Sequence, residues 1–403
     1  MKSTIIALLL MLCCIYRAQS QENDTVRKSG IDKLNLLSTH PFGIYISRIS
    51  QNFKKSAVGQ IRMRLQQQSG NVFQPQLTAY LPENPTVRED FSNTTWFFRV
   101  FTYQDQETTP TQIFEFEFDA VLKVYRVDLE IPVSDKSELQ IGVRSFTAVK
   151  GNYPFSYFSS DSSIEWFHSN VAGGEDAFGR RFYGLNQVNF EYTDANDRQL
   201  SMDQGELFLG GIEASYHYYP EIEWLKNKNV FTNVSFHSGW NTTRFNRSID
   251  IGFSANLLKE WNVKNGDFWK LGLGGSVLRK NVLEFDQNVD LGNNDYLASG
   301  EIMLEWTDIT NNGNYNSIGV NYQEQTRYRK KAEEDYVYLE GDWSSINAGW
   351  HNAYTTLFES LSSWTIHFTH GRQRIQYFVY VKEDLKVNNA PDLESGIGVR
   401  FKL

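Results

Sequence analysis

Residues 125–146 read YRVDLEIPVSDKSELQIGVRSF, and this stretch decides the fold. In its first arm Tyr125, Val127, Leu129 and Ile131 alternate with Arg126, Asp128 and Glu130. In the second, Leu139, Ile141 and Val143 alternate with Glu138, Gln140 and Arg144. Pro132, Ser134, Asp135, Lys136 and Ser137 make a polar turn between the arms. Successive strand side chains point to opposite faces, so this is a hairpin with one apolar wall and one charged wall. A water-soluble sandwich also alternates, but it rarely files Arg, Asp, Glu and Gln along one face. Such a pattern implies a closed sheet with lipid outside and water inside.

Working outward, the same design recurs. Residues 56–68 alternate Ala57, Gly59, Ile61, Met63 and Leu65 with Gln60, Arg62, Arg64 and Gln66. Pro75, Pro82 and Pro85 predict a loop or lumen insert over 71–90, because proline does not serve a central sheet. Strands are expected at 96–103 and 113–119, the latter filing Glu115, Glu117 and Asp119 between phenylalanines. Residues 147–183 lack strand character, apart from a short helix expected at 161–170, and form the long loop. Alternation resumes near Val188, continues through Phe208–Tyr218 and 249–257, and reaches Leu403, with a tight turn at 370–373. Trp and Tyr concentrate at the ends of these runs, as at Tyr216, Trp269, Trp306 and Trp364, where girdle residues belong. The expectation is an all-β transmembrane antiparallel β-barrel of 14–18 strands, sixteen being the count preferred, with a polar lumen.

The start of the chain reads as a secretory signal over residues 1–20, with Lys2, an apolar core at 5–16 and a small-x-small site at Ala18–Ser20. Both cysteines, Cys13 and Cys14, lie inside it, so the mature chain is expected to have none. Removing Lys2 and Arg17 moves the formal charge from −9 to −11. An acidic chain lacks the basic footprint of nucleic-acid binding. The 10 Trp, 21 Tyr and 28 Phe sit in a chain of mean hydropathy −0.47, a pairing that aromatic girdles and alternating strands produce. The expected domains are a signal peptide at 1–20, a periplasmic lead-in or plug at 21–40, and the barrel at 41–403. The expected location is the outer membrane of a Gram-negative bacterium, with outer-membrane lipid as a partner.

Two resemblances add to this. The last strand, with Ile397, Val399, Phe401 and Leu403 in alternation, resembles the signal read by the outer-membrane barrel assembly machinery, although it ends in Leu403 rather than an aromatic residue. Tyr125–Phe146, then Ser163-Ile164-Glu165-Trp166-Phe167-His168, Gly173-Gly174 and Arg180-Arg181, resemble a family of uncharacterised outer-membrane barrels. That family implies architecture and location, and supplies no chemistry.

Catalytic readings are weak. His168-Ser169 and His237-Ser238 are adjacent, so in a strand they point to opposite walls. Glu213, Ser215 and His217 share a wall, yet neighbours there stand roughly 7 Å apart. Asp308–Gly313 starts like a calcium loop but has Gly319 at its twelfth position. No enzyme, metal or cofactor is therefore expected. The better lead is the inward wall, for which Arg62, Arg64, Glu115, Glu117, Asp119, Arg126, Asp128, Glu130, Arg144, Glu213, His217, Asp250, Glu301 and Glu305 are the lining candidates. The expected function is a passive channel or transporter for small polar solutes, with weak cation preference, narrowed by 147–183. A closed structural or docking barrel is the alternative, and a lipid-modifying enzyme the second.

Overall fold

A computed structural model describes residues 30–32, 34–37, 41–82, 111–151, 156, 158–172, 184–194, 197–263, 267–286, 288–291, 293–310, 314–328, 338–340, 360–372, 374–383 and 393–403. The expected signal peptide and the strand expected at 96–103 lie outside them.

Twelve strands close into a ring. In chain order these are β1 (Arg62–Pro82), β2 (Thr111–Ser134), β3 (Ser137–Val149), β6 (Phe208–Tyr218), β7 (Val230–Thr242), β8 (Arg247–Asn262), β9 (Phe268–Glu284), β10 (Tyr296–Ile309), β11 (Tyr315–Gln325), β13 (Leu361–Arg372), β14 (Ile375–Glu383) and β15 (Leu393–Lys402). Each pairs antiparallel with its neighbours, and β1 closes the ring by pairing with both β2 and β15. Three short strands stand outside it: β4 (Asn189–Thr193) on the edge of β2, β5 (Gln199–Ser201) on β4, and β12 (Tyr338–Glu340) on the far part of β1.

Twelve replaces the expected sixteen for identifiable reasons. Residues 113–119 and 125–131 are one strand, β2, and the run around Val188 is β4, outside the wall. Asn71–Pro82, expected as loop, continues β1. Pro75 is accommodated where the β1–β2 register slips between Gln74 and Leu77, a bulge being one of the few places a sheet tolerates proline. The barrel wall begins at Arg62 rather than at 41. Ahead of it, Gly59 adopts φ +75, a left-handed conformation glycine takes without steric cost, and turns the chain into β1.

The two ends differ. The strand ends joined through 135–136, 219–229, 263–267, 310–314 and 373–374 lie where β1 starts and β15 finishes, called lower here. The strand ends joined through 83–110, 150–207, 243–246, 285–295, 326–360 and 384–392 lie at the other end, called upper. Within 150–207, helix α1 (Asp161–Phe167) is followed by one π-helical turn, His168–Ala172. It lies against the outer face of β1, where Ser159 bonds Ser69 at 2.6 Å and Asn71 donates to Asp161 at 2.9 Å. The segment expected to narrow the pore is thus, over residues 158–172, outside the wall. A second short helix, α2 (Glu223–Lys226), joins β6 to β7.

What fills the barrel is the N-terminal segment. Between Gly30 and Ser56 the described residues are almost all buried, because the chain runs up through the lumen, turns in a 3-10 helix at Pro41–Tyr45, and runs back down. Gly30 and Lys54 meet lower-end residues, Leu37 and Tyr45 upper-end ones. Circumference gives the reason it fits: twelve strands about 4.8 Å apart and tilted about 40° enclose a backbone diameter of roughly 24 Å. Side chains from both walls leave room for one two-legged hairpin.

Candidate functional site

The site is the interface between this hairpin and the inward wall. At the lower end, Asp32 on the ascending leg takes a hydrogen bond from Lys54 on the descending leg at 3.1 Å. It also accepts from Arg400 of β15 at 2.8 Å and from the Tyr315 hydroxyl of β11 at 3.0 Å. Lys54 donates to Tyr315 as well, at 3.1 Å. Burial pushes the Asp32 carboxyl up, but Lys54 and Arg400 outweigh it and hold the group well below the ordinary carboxylate range. Burial likewise pushes Lys54 down, to about 8, with Asp32 opposing. Beside this clasp, Gly30 donates to Glu260 at 2.6 Å and accepts from Lys270 at 2.7 Å. Lys270 pairs with Glu305 at 3.0 Å, and Glu305 also meets His367 Nε2 at 3.0 Å.

Midway up, Asn35 donates to Asp128 at 3.1 Å, and Asp128 accepts from Arg64 at 2.9 Å. Glu213 bridges Arg126 and Arg144, and Arg144 donates to the carbonyl of Ile46 at 2.5 Å. Ser47 N donates to Asp250 at 2.8 Å. Asn52 and Ser56 N both donate to Glu138, at 2.9 and 2.8 Å. Higher still, Leu37 N donates to Glu394 at 2.8 Å and its carbonyl accepts from Lys382 at 2.9 Å. Buried charge survives in a low-dielectric interior only when paired and hydrogen-bonded, and here the hairpin backbone supplies many of the partners.

Above the charges the lumen turns apolar. Tyr45 stands edge-on to Phe146 (5.7 Å) and Phe245 (6.0 Å), and Phe146 stacks on Phe208 at 5.4 Å. Phe118, Phe190, Tyr192 and Met202 join the same buried cluster. A polar lumen was expected; its upper part holds aromatic side chains that cap the hairpin.

The lining candidates distribute as follows. Arg62, Arg64, Arg126, Asp128, Glu130, Arg144, His217, Asp250 and Glu305 are buried inside the wall, Glu213 and Glu301 nearly so. They face the hairpin or one another rather than an open channel. Glu301 accepts from Asn321 at 3.0 Å, and His217 Nδ1 meets Ser235 Oγ at 2.6 Å. Asp119 is a correction: in β2 the residues paired inward are even-numbered, so Asp119 lies on the opposite face from Asp128. The side chains of Glu115 and Glu117 lie outside the described residues; their backbone pairs with β4. Glu138, Glu260, Lys270, Tyr315, Lys382, Glu394 and Arg400 were missed, although each holds the polar phase of an alternating strand.

His237 bonds Ser215 at 2.7 Å through Nδ1 and Ser254 at 2.8 Å through Nε2. The sequence pairing of His237 with Ser238 is therefore replaced by cross-strand pairs. Both ring nitrogens meet hydroxyls, and no carboxylate orients the ring as a catalytic triad requires.

No family model matches the chain, and comparison with curated proteins finds no relative. Among solved structures it is similar to an outer membrane channel from Pseudomonas putida F1, at 10% identity and TM-score 0.37, covering 86% of this chain and 97% of that one. It is also similar to the β domain of the Bordetella autotransporter BrkA, at 6% identity and TM-score 0.36, covering 84% and 98%. The translocator domain of autotransporter NalP from Neisseria meningitidis shares 8% identity at TM-score 0.33, covering 86% and 90%.

Proposed function

We propose that this chain is an integral outer-membrane barrel that its own N-terminal hairpin holds closed, and that passage of small polar solutes requires the hairpin to leave the lumen. The membrane part of this reading is supported by the outer wall. Ile366, Phe253, Trp240, Tyr377 and Val379 are each about half exposed or more. Trp261, Trp269 and Trp306 lie in register across β8, β9 and β10 near the lower end. On β10 the outward positions from Tyr296 to Trp306 hold Ala298, Gly300, Ile302 and Leu304. Ten residues of tilted strand span roughly 25 Å along the barrel axis, the height of an outer-membrane apolar band between its aromatic girdles. No connection at the lower end is longer than 219–229, whereas 83–110, 150–207 and 326–360 join strands at the upper end, which fits periplasmic and outer faces respectively.

The observation that carries closure is the hairpin itself, whose described residues between Gly30 and Ser56 are buried or half-buried and which bonds to β2, β3, β8, β9, β11, β14 and β15. A constitutive channel with weak cation preference does not agree with this, since Asp128, Glu130, Glu213, Asp250 and Glu305 already have partners. Planar-bilayer recording tests the reading: the intact mature protein gives no steady conductance, and deletion of residues 21–56 gives discrete steps. Equal conductance from both would overturn closure by the hairpin. Silence from a deletion variant that still folds would favour a docking barrel without transport.

A further inference from the structure

On the descending leg, Arg48 makes no salt bridge among the described residues. Arg48 donates from Nη2 to Gln323 Oε1 at 2.6 Å, and its other terminal nitrogen, Nη1, is buried without a hydrogen-bond partner among the described residues. It stands between two small cavities on the side of the hairpin that faces β9–β11. The lower cavity, about 20 Å³, is lined by Asp32 and Glu301. The upper, about 30 Å³, is lined by Arg48, Ser47, Ser276, Ser299, Gln323 and Gln325 among others, and no carboxylate lines it. Gln325 Nε2 is a second buried donor without a partner.

The upper cavity is lined by the two side chains that carry unpartnered N–H groups, Arg48 and Gln325, by serine hydroxyls and by no acid, with Ile46, Ile49, Leu278 and Leu297 as its apolar part. An unpaired buried charge is costly, and a buried unsatisfied donor costs more than an ordinary hydrogen bond gains. We propose that the upper cavity binds one small monovalent anion of about the size of chloride, held by Arg48 and Gln325. The volume limits the class: about 30 Å³ has room for roughly two or three water-sized species, which suits a halide with a water and excludes nucleotides and other large anions. Ser276 and Ser299, which bond each other at 2.7 Å, can turn hydroxyl hydrogens toward it. The anion completes the docking of the hairpin, so chloride acts as a ligand of the closed form. The site depends only on the hairpin lying in the lumen, not on whether the barrel conducts.

The test is thermal unfolding of the refolded mature protein in detergent, with sodium chloride titrated against sodium gluconate at constant ionic strength. The expected result is a midpoint that rises and saturates with chloride, since binding to the folded state alone stabilises it, and does not respond to gluconate. Arg48→Gln abolishes the chloride response, and Arg48→Lys, which keeps the charge, retains part of it. Equal midpoints in the two salts, or an unchanged chloride response in Arg48→Gln, overturn the site. Should Arg48→Gln fail to fold, crystals soaked in bromide decide: an anomalous peak in this cavity supports the site, and a water-only cavity overturns it.

Discussion

Substituting Asp32 by asparagine removes the one carboxylate that both legs of the hairpin and the wall share. Lys54 Nζ and Arg400 Nη1 approach the same oxygen, Asp32 Oδ1, at 3.1 and 2.8 Å, so the two cations lie within about 6 Å of each other. Without the charge between them they repel by about 3 kcal/mol at an effective dielectric constant near 20. Removing one member of a buried ion pair costs about 3–5 kcal/mol in general, and Asp32→Asn belongs in that range because it strands Lys54 beside Arg400, which keeps Glu130 at 3.2 Å. Lys54→Met is milder: Asp32 keeps Arg400 and the Tyr315 hydroxyl, so the loss is about 1–3 kcal/mol. The double variant relieves the repulsion, and its cost falls short of the sum of the singles by more than about 1 kcal/mol. Urea unfolding of detergent-refolded protein, followed by tryptophan fluorescence, measures all three. Near-neutral values for both single variants, within about 0.5 kcal/mol of wild type, or strict additivity in the cycle, would refute the clasp.

Other consequences are directly measurable. Because Asp32 is held below its ordinary value of 3.8, its stabilisation is complete above about pH 4 and is lost only as pH falls through the lower folded-state value. Acidification from pH 7 to 4 should therefore leave this contribution intact, which the difference between wild type and Asp32→Asn over that range checks. Lys54 works in the opposite sense: its folded value of about 8 lies below the unfolded 10.5, so between these the unfolded chain binds the extra proton and stability rises with pH. Lys54→Met should flatten that rise. At Gly371 an added Cβ would fall within the ring of its register partner Tyr315. Gly371→Ala thus displaces the ring from the clasp at about 1–3 kcal/mol, a cost that shrinks in a Tyr315→Ala background when both are unfolded in urea. Finally, with both native cysteines in the first twenty residues, Ile366→Cys and Trp166→Cys can carry single spin labels. Oxygen should relax the label at 366 more than a nickel chelate does, and the label at 166, on the exposed face of α1, should read as interfacial. Aqueous behaviour at 366 would overturn the membrane reading.

The wall was legible because its physics is periodic. A strand between an apolar and a polar surroundings must alternate, so Tyr125–Ile131 and Leu139–Val143 declared both their conformation and their faces, and Arg126, Asp128, Glu130 and Arg144 were found on the face they occupy. Parity also exposes the error at Asp119: filing it with Asp128 ignored that nine residues of continuous strand reverse the face. The strand count failed for a different reason. Alternation reports a two-faced environment, and the extended β1–β2 ladder above Gly70, together with β4, has two faces without adding strands to the ring.

The hairpin was illegible for a reason that follows from where it sits. A chain threaded through a lumen meets wall on every side, so IDKLNLL and ISRISQNFKK show neither period two nor period 3.6, although their described residues are buried or half-buried. Its partners are set instead by residues hundreds of positions away: Asp32 by Arg400, Leu37 by Glu394, Ser47 by Asp250. The clue lay in the wall, whose file of Arg, Lys, Asp and Glu is dense for a barrel only twelve strands round. Charge at that density needs either water or partners. A narrow lumen with an aromatic cap built on Tyr45, Phe146 and Phe245 holds little water, so the partners had to come from the protein, and the polar segment ahead of β1 was the nearest chain able to supply them.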